Sequence, residues 1–133
     1  MNDYIQLDAG QVFVWGYGIL GKGPIVEHSA QPTEIPHSLF GRNEFNPHTK
    51  VVSIHSGLSQ FAAISDTGDL YMWGRNRYGS LGLGHLKDQF FPIKVEIKLS
   101  SVISSQQKLA RHLQHIRNIG LHPRLSENSQ YWS

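Results

Sequence analysis

GQVFVWG at residues 10–16 returns as GDLYMWG at residues 68–74. The 58-residue offset sets Gly10 against Gly68, Phe13 against Tyr71, Trp15 against Trp73 and Gly16 against Gly74. With three tryptophans in 133 residues, a Trp-Gly step repeated at one offset carries weight. Further along, GILGKG at 18–23 matches GSLGLG at 79–84, the loop after the second Trp-Gly being three residues longer. Pro32-Thr33-Glu34-Ile35 then matches Pro92-Ile93-Lys94-Val95. Three blocks in the same order define an internal repeat, and internal repeats signal a modular array.

Each copy reads as β-structure. Gln11–Trp15 and Asp69–Trp73 are β-branched and aromatic runs bounded by glycine, the strand signature. Residues two apart share a strand face, so Phe13 lies beside Trp15 and Tyr71 beside Trp73. Val51–Ile54 and Phe61–Ile64 add two further strands. Ser65-Asp66-Thr67-Gly68 is a turn signal, because glycine accepts positive φ and aspartate bonds its own backbone, so residues 61–73 read as a hairpin. Short strands between regular turns imply an all-β fold, and their repetition implies propeller blades rather than a sandwich. The expected architecture is about two blades over residues 1–97, with repeats of roughly 10–67 and 68–97.

Composition narrows the function classes. A 15.0 kDa chain with 39% hydrophobic and 17% charged residues suits one packed domain. No apolar run approaches the roughly 20 residues of a bilayer-spanning helix, so no integral membrane segment is expected. The absence of cysteine excludes a disulfide framework, a thiolate zinc site and a cysteine nucleophile. The net charge of +2 is unevenly placed: residues 1–97 carry seven basic and nine acidic side chains, whereas residues 98–133 carry five basic and Glu127 alone. Glycine breaks at the same place, with twelve of thirteen at or before Gly84. The basicity therefore belongs to the tail. Residues 1–21 contain Asp3 and Asp8 but no Lys or Arg, so no presequence is visible there, and the chain as written would be cytoplasmic.

The glycine-tryptophan phrases, Leu20-Gly21-x-Gly23, VVSIHSGLSQFAAISDTGDLYMWGRNRYGSLGLG at 51–84 and Pro92-x-x-Val95 together resemble the repeat of the regulator-of-chromosome-condensation family. That repeat runs G-x-V-Y-x-W-G-x-N-x-x-G-x-L-G, then a proline, then V-x-x-V-x-x-G-x-x-H-x-x-A-L-x-x-x-G. Asn76, Gly79, Leu81 and Gly82 fill the first part, and Val52, Gly57, Ala63 and Gly68 much of the second. Gln60 stands where the family usually has histidine, which is expected to weaken one structural hydrogen bond. The resemblance covers residues 10–97 and implies structural roles for Gly10, Trp15, Gly16, Gly57, Gly68, Trp73, Gly74, Leu81 and Gly82. It also implies a seven-bladed ring and a non-enzymatic binding scaffold, an exchange-factor-like regulator that stabilises the nucleotide-free state of a GTPase. The wedge loop of the family archetype has no counterpart that can be placed here. GQVFVWGYGILGKGP, LFGRNEFNP and DQFFP look most like the C-terminal blades of the mitochondrial member. That likeness implies a mitochondrial location and, as the alternative partner, mitochondrial ribosomal RNA.

Fewer than two and a half repeats cannot close such a ring. An open piece is expected to leave strand edges unpaired, one apolar face uncovered at each end, and marginal stability. After Val95 no further V-x-V-x-x-G or Trp-Gly step follows. Instead QQKLARHLQHIRNIG places Leu109, Leu113, Ile116 and Ile119 on one stripe, predicting a helix over about 104–119 with stops at Gly120 and Pro123. Residues 98–133 thus read as a divergent C-terminus in place of a blade, ending in a disordered stretch.

Chemistry has no evident seat. GYGILGK at Gly16–Lys22 satisfies a phosphate-loop pattern, but Gly23 replaces the magnesium-binding hydroxyl and Pro24 follows in place of a helix, so a nucleotide-binding enzyme ranks last. His112 and His115 could share a helical face with His122 nearby, but no HExxH pattern or third close ligand appears. His28, His37, His48, His55 and His85 read as surface residues, and no nucleophile elbow is present. No cofactor, metal or small-molecule substrate is expected. Trp15, Trp73 and Tyr71 would suit base stacking, but their repetition favours blade packing. The contact residues for a protein partner are instead Arg75, Arg77 and Tyr78, two planar cations and an aromatic on the longer loop.

Overall fold

In a computed structural model, the structure describes residues 3–24, 28–57, 59–76, 81, 85, 87–96 and 105–123. Strands β1 (Asp3–Asp8), β2 (Gln11–Tyr17) and β3 (His28–Ile35) form one antiparallel sheet in that order. A single 3-10 turn, His37–Phe40, leads to the second sheet, built from β4 (Val51–Ser56), β5 (Gln60–Ser65), β6 (Leu70–Gly74) and β7 (Gln89–Val95). Helix α1 (Ser105–Asn118) follows, and β8 (His122–Pro123) returns to pair with β4, giving the order β7-β6-β5-β4-β8. Among the described residues the fold is all-β apart from these two helical pieces, and it carries the predicted 61–73 hairpin as β5–β6.

The internal repeat extends to hydrogen-bond register. Val12 pairs with Ile35, Phe13 with Glu34 and Val14 with Thr33; Leu70 pairs with Val95, Tyr71 with Lys94 and Met72 with Ile93. Both ladders then slip at one place, between Val14 and Gly16 and between Met72 and Gly74. The Trp-Gly step is thus the bulge itself, and glycine permits it: φ is +104° at Gly16 and +116° at Gly74. The sheets divide within residues 36–50, so the blades are phased differently from the sequence copies that begin at Gly10 and Gly68. β1 escaped the strand reading because DYIQLD carries three polar residues; its buried Ile5 and Leu7 alternate with Tyr4 and Gln6, as period two requires.

One core lies between the sheets. Ile5, Leu7, Val12, Val14, Leu20 and Ile35 of the first blade pack against Ile54, Phe61, Ala63, Tyr71 and Trp73 of the second, with Phe40 beside them. A second core lies on the far side of the second sheet. There Ala62, Ile64, Leu70, Met72, Leu81 and Val95 meet Ile116 and Leu121, flanked by Leu109, Leu113 and Ile119. The expectation of an uncovered apolar face at each end is therefore corrected at this end, where the tail helix covers it. Full burial of an Ile or Leu side chain stabilises by about 1.5–3 kcal/mol, so Ile116 and Leu121 alone give the helix a firm seat.

Helix α1 stops where the sequence predicts. Gly120 at φ +82° is the left-handed residue after the helix: its N–H donates to the Arg117 carbonyl at 3.2 Å, and the Leu121 N–H to the Ile116 carbonyl at 3.1 Å. Leu121 then joins the core beside Ile116, completing a Schellman motif. Pro123 is not a second stop but part of β8, opposite His55. The predicted disorder at the extreme C-terminus lies outside the described residues.

Candidate partner-binding loops

Trp73 and Gly74 end β6, and the chain leaves the sheet at Arg75. A Cβ on Gly74 would collide with the Ser59 carbonyl and the Gln60 Cα, so only glycine lets the β4–β5 connection approach this closely. The approach is used: the Arg75 N–H donates to the Ser59 carbonyl at 3.0 Å, and Gln60 Nε2 donates to the Arg75 carbonyl at 3.4 Å. Gln60, at the family's histidine position, thus still supplies a hydrogen bond. Its partner is the backbone of the loop it braces.

Asn76 is fully buried and ties the loop from inside. Its N–H donates to Asp88 Oδ1 at 2.8 Å, its Nδ2 to the His85 carbonyl at 2.8 Å, and its Oδ1 accepts from the Leu81 N–H at 3.0 Å. Three positions, Leu81, His85 and Asp88, converge on this one residue, two of them on its side chain, a buried polar network of the kind that rigidifies its surroundings. Arg75, held by backbone bonds on both sides and adjacent to this anchor, projects an exposed guanidinium. Of the three predicted contact residues Arg75 alone is located; Arg77 and Tyr78 lie outside the described residues, as does Gly82.

The phosphate-loop look-alike sits on the same rim and serves packing. Lys22 Nζ donates to the Glu34 carbonyl at 2.8 Å, and the Gly23 N–H donates to the Phe90 carbonyl at 2.9 Å, clamping the turn onto the second sheet. Gly21, at φ +87°, lies against the Trp73 indole. Gly21 and Gly23 thus hold the two blades together, while Lys22 is engaged by its own sheet.

Trp73 joins Phe40 and Phe61 in the inter-blade core, at ring separations of 5.8 and 5.7 Å. Trp15 occupies the equivalent place on the outer side of the first sheet, stacked on Tyr4 at 5.2 Å. An open cleft of about 390 Å³ is lined there by Tyr4, Trp15, Tyr17 and His28. Two features escaped sequence reasoning. Phe45 is 83% exposed on the opposite rim, on a turn fixed by Asn43 Oδ1, which accepts from the N–H groups of Phe45 and Asn46 at 2.8 and 2.9 Å. The signal was present in Arg42-Asn43-Glu44-Phe45-Asn46-Pro47, since asparagine before proline favours such turns.

The second feature is His55, expected at the surface but buried on β4. Burial lowers its pKa, and Nε2 shares a 2.7 Å hydrogen bond with Ser53 Oγ. His112, on the inner face of α1, is also buried, and burial lowers the pKa of both His112 and His115. Among the described residues no group of three or more His, Asp or Glu side chains comes together to hold a metal, and no helix is long and apolar enough to cross a membrane.

A bulged β-blade with a Trp-Gly step, packed through a Leu-Gly-x-Gly turn onto the next blade's tryptophan, defines a class of repeat. The regulator of chromosome condensation (RCC1) repeat model matches residues 67–106 of the chain, which resembles that family there. Among individual proteins, it is 57% identical over 86 residues to the human RCC1-like G exchanging factor-like protein, spanning 65% of this chain and 18% of that one. It is 40% identical over 100 residues to the human E3 ubiquitin-protein ligase HERC2, across 71% of this chain and 2% of the relative. The crystal structure of human WBSCR16 superposes with a TM-score of 0.70 at 52% identity, over 71% of this chain and 24% of that one. Prp20p of Saccharomyces cerevisiae, described with its binding to Gsp1p and histones, matches with a TM-score of 0.58 at 26% identity, over 74% and 24%. The chain therefore spans about a fifth of the length of its RCC1-like curated relatives.

Proposed function

We propose that the chain is a non-enzymatic binding scaffold, part of an exchange-factor-like regulator that engages a GTPase through the rim bearing Arg75. The observation that carries this reading is the anchoring of the Arg75 backbone, which is bonded to Ser59 and Gln60 and adjacent to the buried Asn76 network before any partner arrives. A backbone held in advance need not be ordered on binding, so more of the interaction energy appears as affinity. Guanidinium suits carboxylate and phosphate groups, which a nucleotide-binding partner presents in number. Nucleotide exchange requires no bond-making residue. A protein that binds the nucleotide-free form of its partner more tightly shifts the equilibrium towards that form. The names of the RCC1-like relatives and the Gsp1p binding of Prp20p support this class of partner. We place the activity in mitochondria, on the likeness of the sequence to the mitochondrial family member.

The test is release of a fluorescent guanine nucleotide from candidate GTPases in the presence of the chain. Acceleration that falls at least tenfold on Arg75→Ala supports the reading. A chain that neither binds nor accelerates any of them overturns it. Salt-sensitive retention of ribosomal RNA, lost on the same substitution, would assign Arg75 to RNA instead.

A further inference from the structure

Blades stack through their sheet faces, so the two rims, built from the connections between strands, stay open to partners however many blades lie alongside. The rim opposite Arg75 is made by the loop 36–50 and by the β5–β6 turn, which the Asp66 N–H ties to the Lys50 carbonyl at 2.9 Å. An open cleft of about 370 Å³ lies there, lined by Phe45, Pro47 and His48 of the loop and by Asp66 and Thr67 of the turn.

Two groups in this cleft are left without a complement inside the chain. Phe45 is 83% exposed. The turn that carries it is closed on itself, Asn43 and Asn46 exchanging backbone hydrogen bonds at 3.4 and 3.1 Å, so the ring is presented on a backbone that needs no ordering. Asp66 is the second. Its Oδ1 accepts from the Lys50 N–H at 3.4 Å, and among the described residues no cation pairs with its carboxylate. The neighbouring cations are held elsewhere: the Lys50 stem lies against Gly10, and Arg42 Nε donates to the Thr49 carbonyl at 2.9 Å. The Thr67 hydroxyl is engaged by Ser65 Oγ at 2.7 Å and Asp69 Oδ2 at 3.1 Å. An unpaired carboxylate thus shares the cleft with a bare aromatic ring.

That combination selects a cation and rejects an anion. A phosphate or a nucleic-acid backbone would meet Asp66 as a like charge. A guanidinium answers both groups at once, because its planar face stacks on an aromatic ring while its edge donates parallel N–H bonds to a carboxylate. The ammonium of lysine is compact and strongly hydrated, and it meets the carboxylate as a point charge.

We propose that this cleft is a second protein-docking site, and that it takes an arginine side chain of a partner protein between the Phe45 ring and the Asp66 carboxylate. The site does not rest on the role given to Arg75 on the other rim.

The test is a nuclear magnetic resonance titration of the full chain with the blocked tripeptide N-acetyl-Gly-Arg-Gly-amide, read at the backbone amides of Asn46 and Thr67. Saturable shifts at both are expected. Asp66→Asn keeps the acceptor for the Lys50 N–H but removes the charge, and it should weaken binding about tenfold, as should replacing the peptide's arginine by neutral citrulline. Phe45→Ala should weaken it several-fold, whereas Arg75→Ala should leave it unchanged. Both cleft residues are exposed, so the variants are expected to melt like the wild type. Absence of shifts at Asn46 and Thr67, or equal binding by Asp66→Asn, overturns the proposal. Equal binding of the lysine tripeptide overturns the assignment to arginine. Shifts of the same two amides on concentrating the chain alone would make the occupant a second copy, and overturn the proposal as well.

Discussion

The indole of Trp73 closes over Gly21: a Cβ on Gly21 would lie 2.8 Å from Trp73 Nε1 and 2.9 Å from Cδ1. A glycine from one copy of the repeat and a tryptophan from the other therefore form one contact, the lock between the blades. Gly21→Ala meets both this ring and a left-handed φ of +87°, and Trp73→Ala removes the largest fully buried side chain. Trp73→Ala should destabilise by about 3–5 kcal/mol. Gly120→Ala, with positive φ but nothing within 4 Å, should lose only about 1 kcal/mol. Urea melts of the three variants check the order; a Gly21→Ala melt milder than that of Gly120→Ala would contradict the lock.

Asn76 and Arg75 are neighbours with opposite roles, and their substitutions should separate cleanly. Asn76→Ala strands the Leu81 N–H and the His85 carbonyl and should destabilise by about 2–4 kcal/mol, the cost of lost hydrogen bonds and buried unpaired groups. Arg75→Ala should change stability by less than about 0.5 kcal/mol, because its backbone bonds persist and its side chain is exposed. Thermal melts beside partner-binding measurements distinguish the two.

Stability should fall with acid in a window set by three histidines. His55, His112 and His115 are all buried enough to lower their pKa values below the ordinary 6.5. For His112 the charge of Lys108 adds to the burial. Between the folded and unfolded values the unfolded chain binds protons that the folded chain refuses, so stability is complete above about pH 6.5 and declines as pH drops through and below it. His112→Gln should flatten part of that decline in denaturant titrations between pH 7 and pH 5; an unchanged slope would remove His112 from the account.

Asp69 links the tail to the body. Burial pushes its carboxyl up, but the hydrogen bond and charge of Lys108, with Lys94 and Thr67, more than offset this and hold its pKa below 3.8. Its contribution is present above that value and disappears as pH falls through the folded pKa. Lys108→Ala should cost up to about 1 kcal/mol, and Lys94→Ala less, since Lys94 is more exposed and 3.5 Å from Asp69 against 2.9 Å for Lys108. Amide exchange in α1 should rise in the first variant and not in the second.

The sequence by itself determined what depends on spacing along the chain. Paired Trp-Gly steps marked the repeat, alternation marked the strands that carry them, the Leu109–Ile119 stripe marked α1, and Gly120 marked its stop. These are local statements, fixed by which φ each residue tolerates and which neighbours share a face. Tertiary structure alone decided where α1 lies, that His55 and His112 are buried, and that DYIQLD is a strand. It also decided that Asn76 stands behind Arg75. Each of these depends on pairing or packing between segments distant in sequence or turned back on themselves, and an amphipathic stripe states that it must be covered without stating by what.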